Sequence, residues 1–291
     1  MPEASNKQWK GSLDGTPWMH RALIVLTHYL PLSLMYGLMA LSIPFYVVLD
    51  SRGRRASYAF FRQRMGYGRF RSFLHVFCNM YNMGKVVIDR FAAYAGKQFR
   101  MEGNPRWLQD ALSQEGRHML FSSHVGNFEL SGYMGLCPRP IKVLVYAGEN
   151  ELIMQHRSRL FSNGRVEMVP IREDMSHLFI LNDALQNGEV VSLAGDRIFD
   201  SSKTVRCRFF GEEASFPAGP FTLAVKKDAA SYALFVVKES VKSFRILAEE
   251  LKADGEGPAK VRSLAQSYAS ALEKVARKYP DQWFNFYDFW A

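Results

Sequence analysis

The chain has 291 residues, of which 48% are hydrophobic and 14% aromatic, and its formal net charge is +9. A chain of this length and apolar content can bury a substantial core, which excludes a disordered or fibrous protein. Its three cysteines, Cys78, Cys137 and Cys207, are scattered without a Cys-x2-Cys pair. We therefore expect neither a disulfide framework nor a structural zinc, and a reducing compartment is favoured.

The first part of the chain contains a long uncharged stretch. Residues 22–49 contain no Asp, Glu, Lys or Arg, and Pro31 and Pro44 divide them. As one helix they would reach ~42 Å, against ~30 Å of bilayer hydrocarbon. Length permits a kinked membrane span or a membrane-embedded hairpin, whereas the prolines permit a pair of buried or interfacial helices packed on the domain. No signal peptide is expected, because no short apolar segment with a small-residue cleavage site follows residues 1–15.

A strongly basic stretch comes next. Aromatic side chains are interleaved there with seven arginines, which are Arg52, Arg54, Arg55, Arg62, Arg64, Arg69 and Arg71. Solvated surface charge is the simplest explanation of such a run. Beside a long apolar stretch, however, mixed arginines and aromatics are typical of a surface attracted to anionic membranes. No nucleic-acid-binding motif supports nucleic acid as a partner. We expect residues 1–75 to form a hydrophobic and basic membrane-associating region.

Beyond Gly103, apolar strand-like runs alternate with helical patterns. The predicted strands are 118–122, 141–146, 166–171, 189–194 and 232–238. The predicted helices are 105–115, 127–135, 149–163, 174–187, 218–229 and 258–278. This alternation predicts an α/β fold with a mostly parallel central sheet flanked by helices. Active residues in such sheets lie at the carboxyl ends of the strands.

The candidate catalytic centre follows the strand at 118–122. His124 lies at its carboxyl end, Asn127 is suited to cap a following helix, and Glu129 falls in its first turn. Five residues correspond to ~140° on a continuous helix, so only a loop-to-helix corner brings His124 and Glu129 together. In that corner Glu129 would accept a hydrogen bond from one imidazole nitrogen and leave the other to take a proton. A structural histidine would show the same spacing.

This pair is half of a Ser-His-Asp arrangement, without the nucleophile. It suits an enzyme whose nucleophile is the hydroxyl or amine of its own substrate. The sequence has no Gly-x-Ser-x-Gly elbow, no His-Glu-x2-His motif and no P-loop. A serine hydrolase and a zinc protease are therefore not expected.

Other charged residues follow other predicted strands. Arg172 and the pair Asp196-Arg197 each come directly after a strand, and Arg157 lies on a predicted helix. Because the carboxyl ends of parallel strands share one edge of the sheet, these residues are expected to converge there. An arginine at that edge would bind a phosphate or a thioester oxygen, or stabilise an oxyanion. For each arginine alone, a surface salt bridge is the alternative.

The block from His124 to Glu129 resembles the His-x4-Asp/Glu motif of the lysophospholipid acyltransferase superfamily, specifically the branch of the lipid A biosynthesis (late) acyltransferases. Further stretches are similar to that branch in the same order, namely 169–174, 194–197, 209–220 and 279–284. The resemblance extends over roughly residues 15–291. In enzymes of lipid A assembly the third block usually reads Asp-Gln, whereas this chain has Asp196-Arg197, so the acceptor stays open.

The resemblance implies an acyltransferase domain over 76–291. Such an enzyme would move a fatty acyl group from an acyl carrier protein or acyl-CoA thioester to a hydroxyl or amine of a lipid-like acceptor. It would act at the cytoplasmic face of the cell inner membrane, without a metal or other cofactor. His124 would be the general base oriented by Glu129, and Arg172 or backbone N–H groups would hold the oxyanion. The residues expected to bind substrate are Arg172, Asp196, Arg197, Asn127 and Arg157. A catalytically silent lipid-binding or scaffold protein with the same fold is the alternative.

Overall fold

A computed structural model describes residues 17–103, 106–127, 129–130, 137–145, 165–172, 174–198 and 203–290. The strands are β1 (Arg100–Glu102), β2 (His118–Ser122), β3 (Ile141–Val145), β4 (Val166–Pro170), β5 (Val190–Ala194), β6 (Thr204–Phe209), β7 (Glu212–Pro217), β8 (Ala230–Lys238) and β9 (Ser243–Leu251). The helices are α1 (Pro17–Tyr29), α2 (Leu32–Ala40), α3 (Ile43–Leu49), α4 (Ser51–Ala59), α5 (Arg69–Tyr94), α6 (Arg106–Ser113), α7 (Ser176–Gln186), α8 (Ala218–Lys226) and α9 (Gly257–Lys278). The expected helix at 149–163 lies outside the described residues, as does most of the one at 127–135.

In the described part of the chain, seven strands form one sheet in the order β1-β9-β8-β2-β5-β3-β4. The neighbouring strands run parallel, except that β8 and β9 are antiparallel. The predicted mostly parallel sheet is therefore confirmed. The central strand β2 is buried at all of its positions, because a parallel strand in the middle of such a sheet is covered on both faces.

The helix α9 holds the carboxyl end of β2 in place. Its Tyr268 is completely buried and donates a hydrogen bond of 2.7 Å from its hydroxyl to the carbonyl oxygen of Ser122. The rings of Phe121 and Phe221 stack beside it with their centroids 5.0 Å apart. Burying a side chain of this size contributes ~1.5–3 kcal/mol. The strand end that leads into the candidate site is therefore anchored in the core.

A small antiparallel hairpin, β6–β7, lies outside the main sheet. Its turn residues Phe210 and Gly211 have φ angles of 52° and 85°, as the tight turns of hairpins require. The segment carries one of the motif blocks, but its sequence pattern did not predict a hairpin. Its Phe209 packs against Trp283 and Phe289, so the aromatic C-terminus closes the core.

The uncharged stretch 22–49 is divided where its prolines lie. Pro31 directly precedes α2, and Pro44 occupies the first turn of α3. Within the described residues, no single helix is long and apolar enough to cross a membrane. Together α2 and α3 have the necessary length and composition, with a bend of 43° between them. One side of α2 packs on α5 through Leu32, Met35 and Tyr36.

The helix α5 connects the N-terminal region to the sheet. It packs against α1, α2, α3 and α4 and also against the C-terminal segment at Pro280–Gln282. The division expected between residues 75 and 76 falls inside this continuous helix. The independence of the two regions stays a prediction.

Gly126 offers a test of how tightly the chain turns after β2. Its φ is +66°, and a Cβ atom there would lie 2.0 Å from the backbone oxygen of Val236. Gly66 has a similar φ of +70° with no atom within 4 Å of its Cβ position. Replacing Gly66 by Ala should cost only the left-handed strain of ~1–2 kcal/mol. Gly126→Ala should cost at least ~2 kcal/mol more, because overpacking is added and backbone yields poorly.

Urea unfolding of the two variants in the same neutral detergent would measure this difference. Equal losses of stability in the two variants would show that Val236 of β8 does not approach Gly126 as described.

Candidate active site

His124 and Asp196 form the centre of the candidate site. The imidazole Nδ1 lies 2.8 Å from Oδ1 of Asp196, and the backbone N–H of His124 donates to Oδ2 of the same carboxylate at 2.8 Å. The Asp196 side chain is 2% exposed, while the imidazole keeps 23% of its surface accessible. One buried carboxylate therefore fixes both the backbone and the ring of a histidine that remains reachable.

The sheet register explains this pairing. The strands β2 and β5 are parallel neighbours, with Ser122 opposite Ala194. His124 and Asp196 each follow two residues later, so they leave the sheet side by side. The Gly195 N–H donates to the Ser122 carbonyl at 3.0 Å and extends the ladder by one step. A Cβ on Gly195 would meet the Tyr268 ring at 2.7 Å, so this close approach requires glycine.

The hydrogen bonds define which imidazole nitrogen carries the proton. A carboxylate only accepts hydrogen bonds, so Nδ1–H is the donor to Asp196 and the position for accepting a proton is Nε2. Burial and the nearby charge of Arg197 lower the pKa of His124, and Asp196 only partly opposes them. Burial alone would raise the pKa of Asp196, but the charge and hydrogen bonds of His124, together with Arg197, hold it below its usual range. At neutral pH the pair is a neutral imidazole beside a carboxylate.

Residues from the C-terminal segment close one side of the site. Arg197 donates from Nη2 to the carbonyl of Phe284 at 2.8 Å and lies 4.8 Å from the ring centroid of Tyr287. The Tyr287 hydroxyl donates to the Asp196 carbonyl at 3.0 Å. The Phe284 N–H donates to the His124 carbonyl at 2.9 Å. Tyr287 was not singled out from the sequence, where it is one aromatic among many near the C-terminus.

Glu129 lies on the other side of the turn, next to α5. Its carboxylate accepts a hydrogen bond from the hydroxyl of Tyr94 at 2.5 Å and contacts Nη1 of Arg90 at 3.3 Å. The His-x4-Glu spacing predicts that Glu129 orients the imidazole, whereas the Nδ1 hydrogen bond goes to Asp196. The reason is sheet adjacency, since β5 lies beside β2 while Glu129 follows the corner at Gly126. The catalytic role of Glu129 stays a prediction.

Asn127 is 2% exposed and lies three residues after His124. Its N–H donates to the Val236 carbonyl at 2.7 Å, which ties the turn to β8. Among the described residues, its side-chain Nδ2 has no hydrogen-bond partner. Buried amide donors are nearly always satisfied in folded proteins, so this Nδ2 is a candidate donor to a bound group.

Of the remaining predicted residues, Arg172 is described and is not brought to the histidine. Arg172 follows β4, the edge strand, which is three strands away from β2 and so roughly 14 Å from it at ~4.8 Å per strand. Its side chain is exposed, and its N–H donates to Nδ1 of His177 at 3.2 Å. Arg157 lies outside the described residues.

Ser123, next to His124, is buried and hydrogen-bonded within the turn. The Ser123 hydroxyl accepts a hydrogen bond from the Val125 N–H at 3.1 Å, and this residue is 1% exposed. A histidine with a carboxylate partner, and with no adjacent serine placed as a nucleophile in the described part of the chain, is the arrangement expected of an enzyme that activates a group of its substrate.

Comparison with known proteins gives the class of reaction. Residues 69–291 match the family of the bacterial lipid A biosynthesis acyltransferases, and the chain belongs to this family. The protein is therefore an acyltransferase, and the resemblance noted in the sequence is confirmed. No curated protein matches the chain in sequence. Among solved structures, the 1-acyl-sn-glycerophosphate acyltransferase PlsC from Thermotoga maritima is similar at 10% identity, with a TM-score of 0.37 over 86% of this chain and 97% of that chain.

The lowered pKa of His124 predicts the shape of the pH profile. Turnover that needs the neutral imidazole should persist below pH 6.5, the ordinary value, and fall only as pH drops through the lowered pKa. Arg197→Gln removes a positive charge that opposes protonation, so the acid limb of kcat/KM should move to higher pH. Arg197→Lys keeps the charge and should leave the limb close to that of the wild type.

Steady-state rates between pH 4.5 and 9 at low ionic strength would test this, since salt screens the charge. An acid limb that stays in place in Arg197→Gln would show that another group sets the profile.

Proposed function

We propose that this acyltransferase moves a fatty acyl group from an acyl carrier protein or acyl-CoA thioester to a hydroxyl or amine of a lipid-like acceptor, with His124 as the general base. The observation that carries this proposal is that Asp196 binds both the backbone N–H and the ring of His124. Asp196 holds the proton on Nδ1 and directs the basic lone pair to Nε2, while the lowered pKa keeps the ring neutral.

The proposed reaction needs a single proton carrier. Nε2 of His124 takes the proton of the acceptor hydroxyl or amine while that oxygen or nitrogen attacks the thioester carbonyl. The tetrahedral intermediate then collapses, the carbon–sulfur bond breaks, and the thiolate leaves with the proton from the imidazolium. Asp196 stabilises the imidazolium in between without itself taking the proton.

The positions of Arg172 and Asn127 indicate which of them donates to the oxyanion. Arg172 is roughly 14 Å away at the level of the strands, so we assign it to a phosphate of the substrate at the rim rather than to the oxyanion. Asn127 is the better candidate, because its buried Nδ2 lacks a partner among the described residues. An oxyanion would supply that partner, and a donor satisfied only during the reaction favours the transition state.

Three substitutions rank the residues of the centre. His124→Ala should remove nearly all turnover, since loss of a general base typically costs 10²–10⁴-fold. Asp196→Asn should cost a comparable factor, because it frees the tautomer, whereas Glu129→Gln should do less damage because it keeps an acceptor for Tyr94. If Asp196→Asn were milder than Glu129→Gln, Glu129 would be the orienting group.

The measurement is consumption of an acyl thioester by purified protein, with thermal stability recorded for each variant. Wild-type protein that consumes neither an acyl carrier protein thioester nor an acyl-CoA would support the catalytically silent alternative. A His124→Ala variant that retained more than about a tenth of wild-type turnover would place the base elsewhere.

We further propose that α1–α5 place the enzyme on the cytoplasmic face of the inner membrane. Large apolar side chains are exposed along these helices, among them Trp18, Tyr29, Leu41, Phe45, Leu49 and Phe70. Exposed arginines lie in the same region, namely Arg52, Arg55, Arg62, Arg69 and Arg71. Soluble monomers rarely expose this much apolar surface, and adjacent cations suit an anionic leaflet. This set of side chains is the membrane surface of the proposal.

Phe45 and Phe179 form a matched pair for testing this surface. They are 70% and 77% exposed, on α3 and α7 respectively. Phe45→Glu should lower the partition coefficient onto vesicles at least about tenfold, since burial of one large apolar side chain contributes ~1.5–3 kcal/mol. Phe179→Glu should have little effect.

Cosedimentation with vesicles of phosphatidylethanolamine and phosphatidylglycerol, at low and high salt, measures the partition. Equal losses in the two variants, or recovery of native wild-type protein in the soluble fraction without detergent at low salt, would contradict the placement.

A further inference from the structure

A second polar recess lies apart from the His124–Asp196 pair. It is a cleft of about 290 Å³ between α2, α5 and the β8–β9 connection, lined among others by Tyr36, Tyr81, Lys85, Lys238 and Val241. This volume equals that of about ten waters at ~30 Å³ each. The cleft therefore has room for a charged group of several atoms, and no step of the acyl transfer uses it.

Each carboxylate around the cleft has its own partner. Asp89 is completely buried and binds Nζ of Lys238 at 2.7 Å and the hydroxyl of Tyr36. Glu239 accepts hydrogen bonds from Arg245 at 2.7 Å and Tyr279 at 2.9 Å. Asp281 lies 2.6 Å from Nδ1 of His75. Of these three, Glu239 lines the cleft with its carboxylate engaged by Arg245 and Tyr279, whereas Asp89 and Asp281 are not among the lining residues.

Lys85 has no such partner in the described part of the chain, where no carboxylate lies within ion-pairing distance of its Nζ. Its ammonium group is half-buried and lies 4.6 Å from the ring centroid of Tyr81. Burial lowers the pKa of Lys85, and the charge of Asp89 one turn away only partly restores it. A desolvated ammonium facing an open cleft is the usual means of binding an anion.

Further donors surround the same space. Lys238 uses one proton for Asp89 and one for the Val241 carbonyl at 3.3 Å, and an ammonium has three. The Tyr81 hydroxyl lines the cleft with no hydrogen bond to another described side chain. A phosphate monoester such as that of phosphatidic acid, with three terminal acceptor oxygens, matches such a set of donors better than a carboxylate or a phosphodiester with two.

The surroundings of the cleft are apolar on one side. Leu74 precedes Tyr81 by two helical turns on the same face of α5 and is 47% exposed. Val241, on the other rim, is 40% exposed. A ligand whose phosphate enters the cleft would lay its remaining part along these side chains, and an acyl chain would gain from that contact.

From these observations we infer that the cleft at Lys85 and Lys238 binds the phosphate of a phospholipid headgroup, with Lys85 as the main counter-ion. The inference concerns binding alone and goes beyond the acyl transfer itself. The site borders Gln282, whose backbone oxygen accepts the Gly126 N–H at 2.8 Å. A lipid held there would lie against the segment that also supports the turn after His124.

Calorimetric titration of the purified full-length protein in neutral detergent tests the inference. The probes are dihexanoyl phosphatidic acid, dihexanoyl phosphatidylcholine and inorganic phosphate. Phosphatidic acid should bind best, and Lys85→Gln should weaken it roughly ten- to a hundredfold, as expected for a lost charged hydrogen bond. Lys85→Arg should retain most of the affinity. Lys226→Gln is the control, because Lys226 is exposed and ends α8 four residues before the amino end of β8, whereas Lys238 lies at the carboxyl end of that strand.

Two results would overturn the inference. Equal affinity in Lys85→Gln and Lys226→Gln would remove the phosphate from this cleft. Inorganic phosphate binding as tightly as phosphatidic acid would make the cleft a site for free phosphate instead of a lipid. Because no thioester is present, the outcome is independent of whether acyl transfer proceeds as proposed.

Discussion

The adjacency of β2 and β5 is the constraint on which the site depends. Their parallel register sets Ser122 opposite Ala194, and everything that follows the two strands inherits this alignment. Asp196 thereby reaches the ring and the backbone of His124 together. A buried carboxylate is costly unless it is paired and hydrogen-bonded. Here the histidine supplies those contacts, so the interaction that orients the imidazole also makes the buried aspartate tolerable.

The C-terminal segment completes this arrangement from outside the sheet. Trp283 bridges Val125 in antiparallel fashion, and Phe284 bonds the His124 carbonyl. The same segment packs its aromatic rings on the β6–β7 hairpin. Residues far apart in the chain therefore determine how the turn after β2 is held. Rigid support of this kind limits the geometric freedom of His124, which is what the proposed role as general base requires.

The N-terminal helices pack on the rest of the protein and at the same time expose apolar side chains. One side of α2 is buried on α5, while other apolar side chains of α1–α3 remain exposed. Beneath them, Asp89 and Lys238 form a buried ion pair, which contributes little to stability in general but specifies how the helix meets the sheet. The helix α5 therefore supports both the exposed apolar side chains and the cleft at Lys85 and Lys238.

The sequence by itself determined much of this protein. Alternating strand and helix patterns predicted the mostly parallel sheet, and the motif blocks around His124 and Asp196 indicated the family, because periodicity and short motifs are local properties of the chain. Tertiary structure alone decided which groups meet. Strand order paired Asp196 with His124, placed Glu129 against α5 and left Arg172 three strands away, and none of this is encoded in spacing along the chain. The hairpin β6–β7 and the cleft at Lys85 were likewise missed, because each depends on contacts between segments separated by many residues.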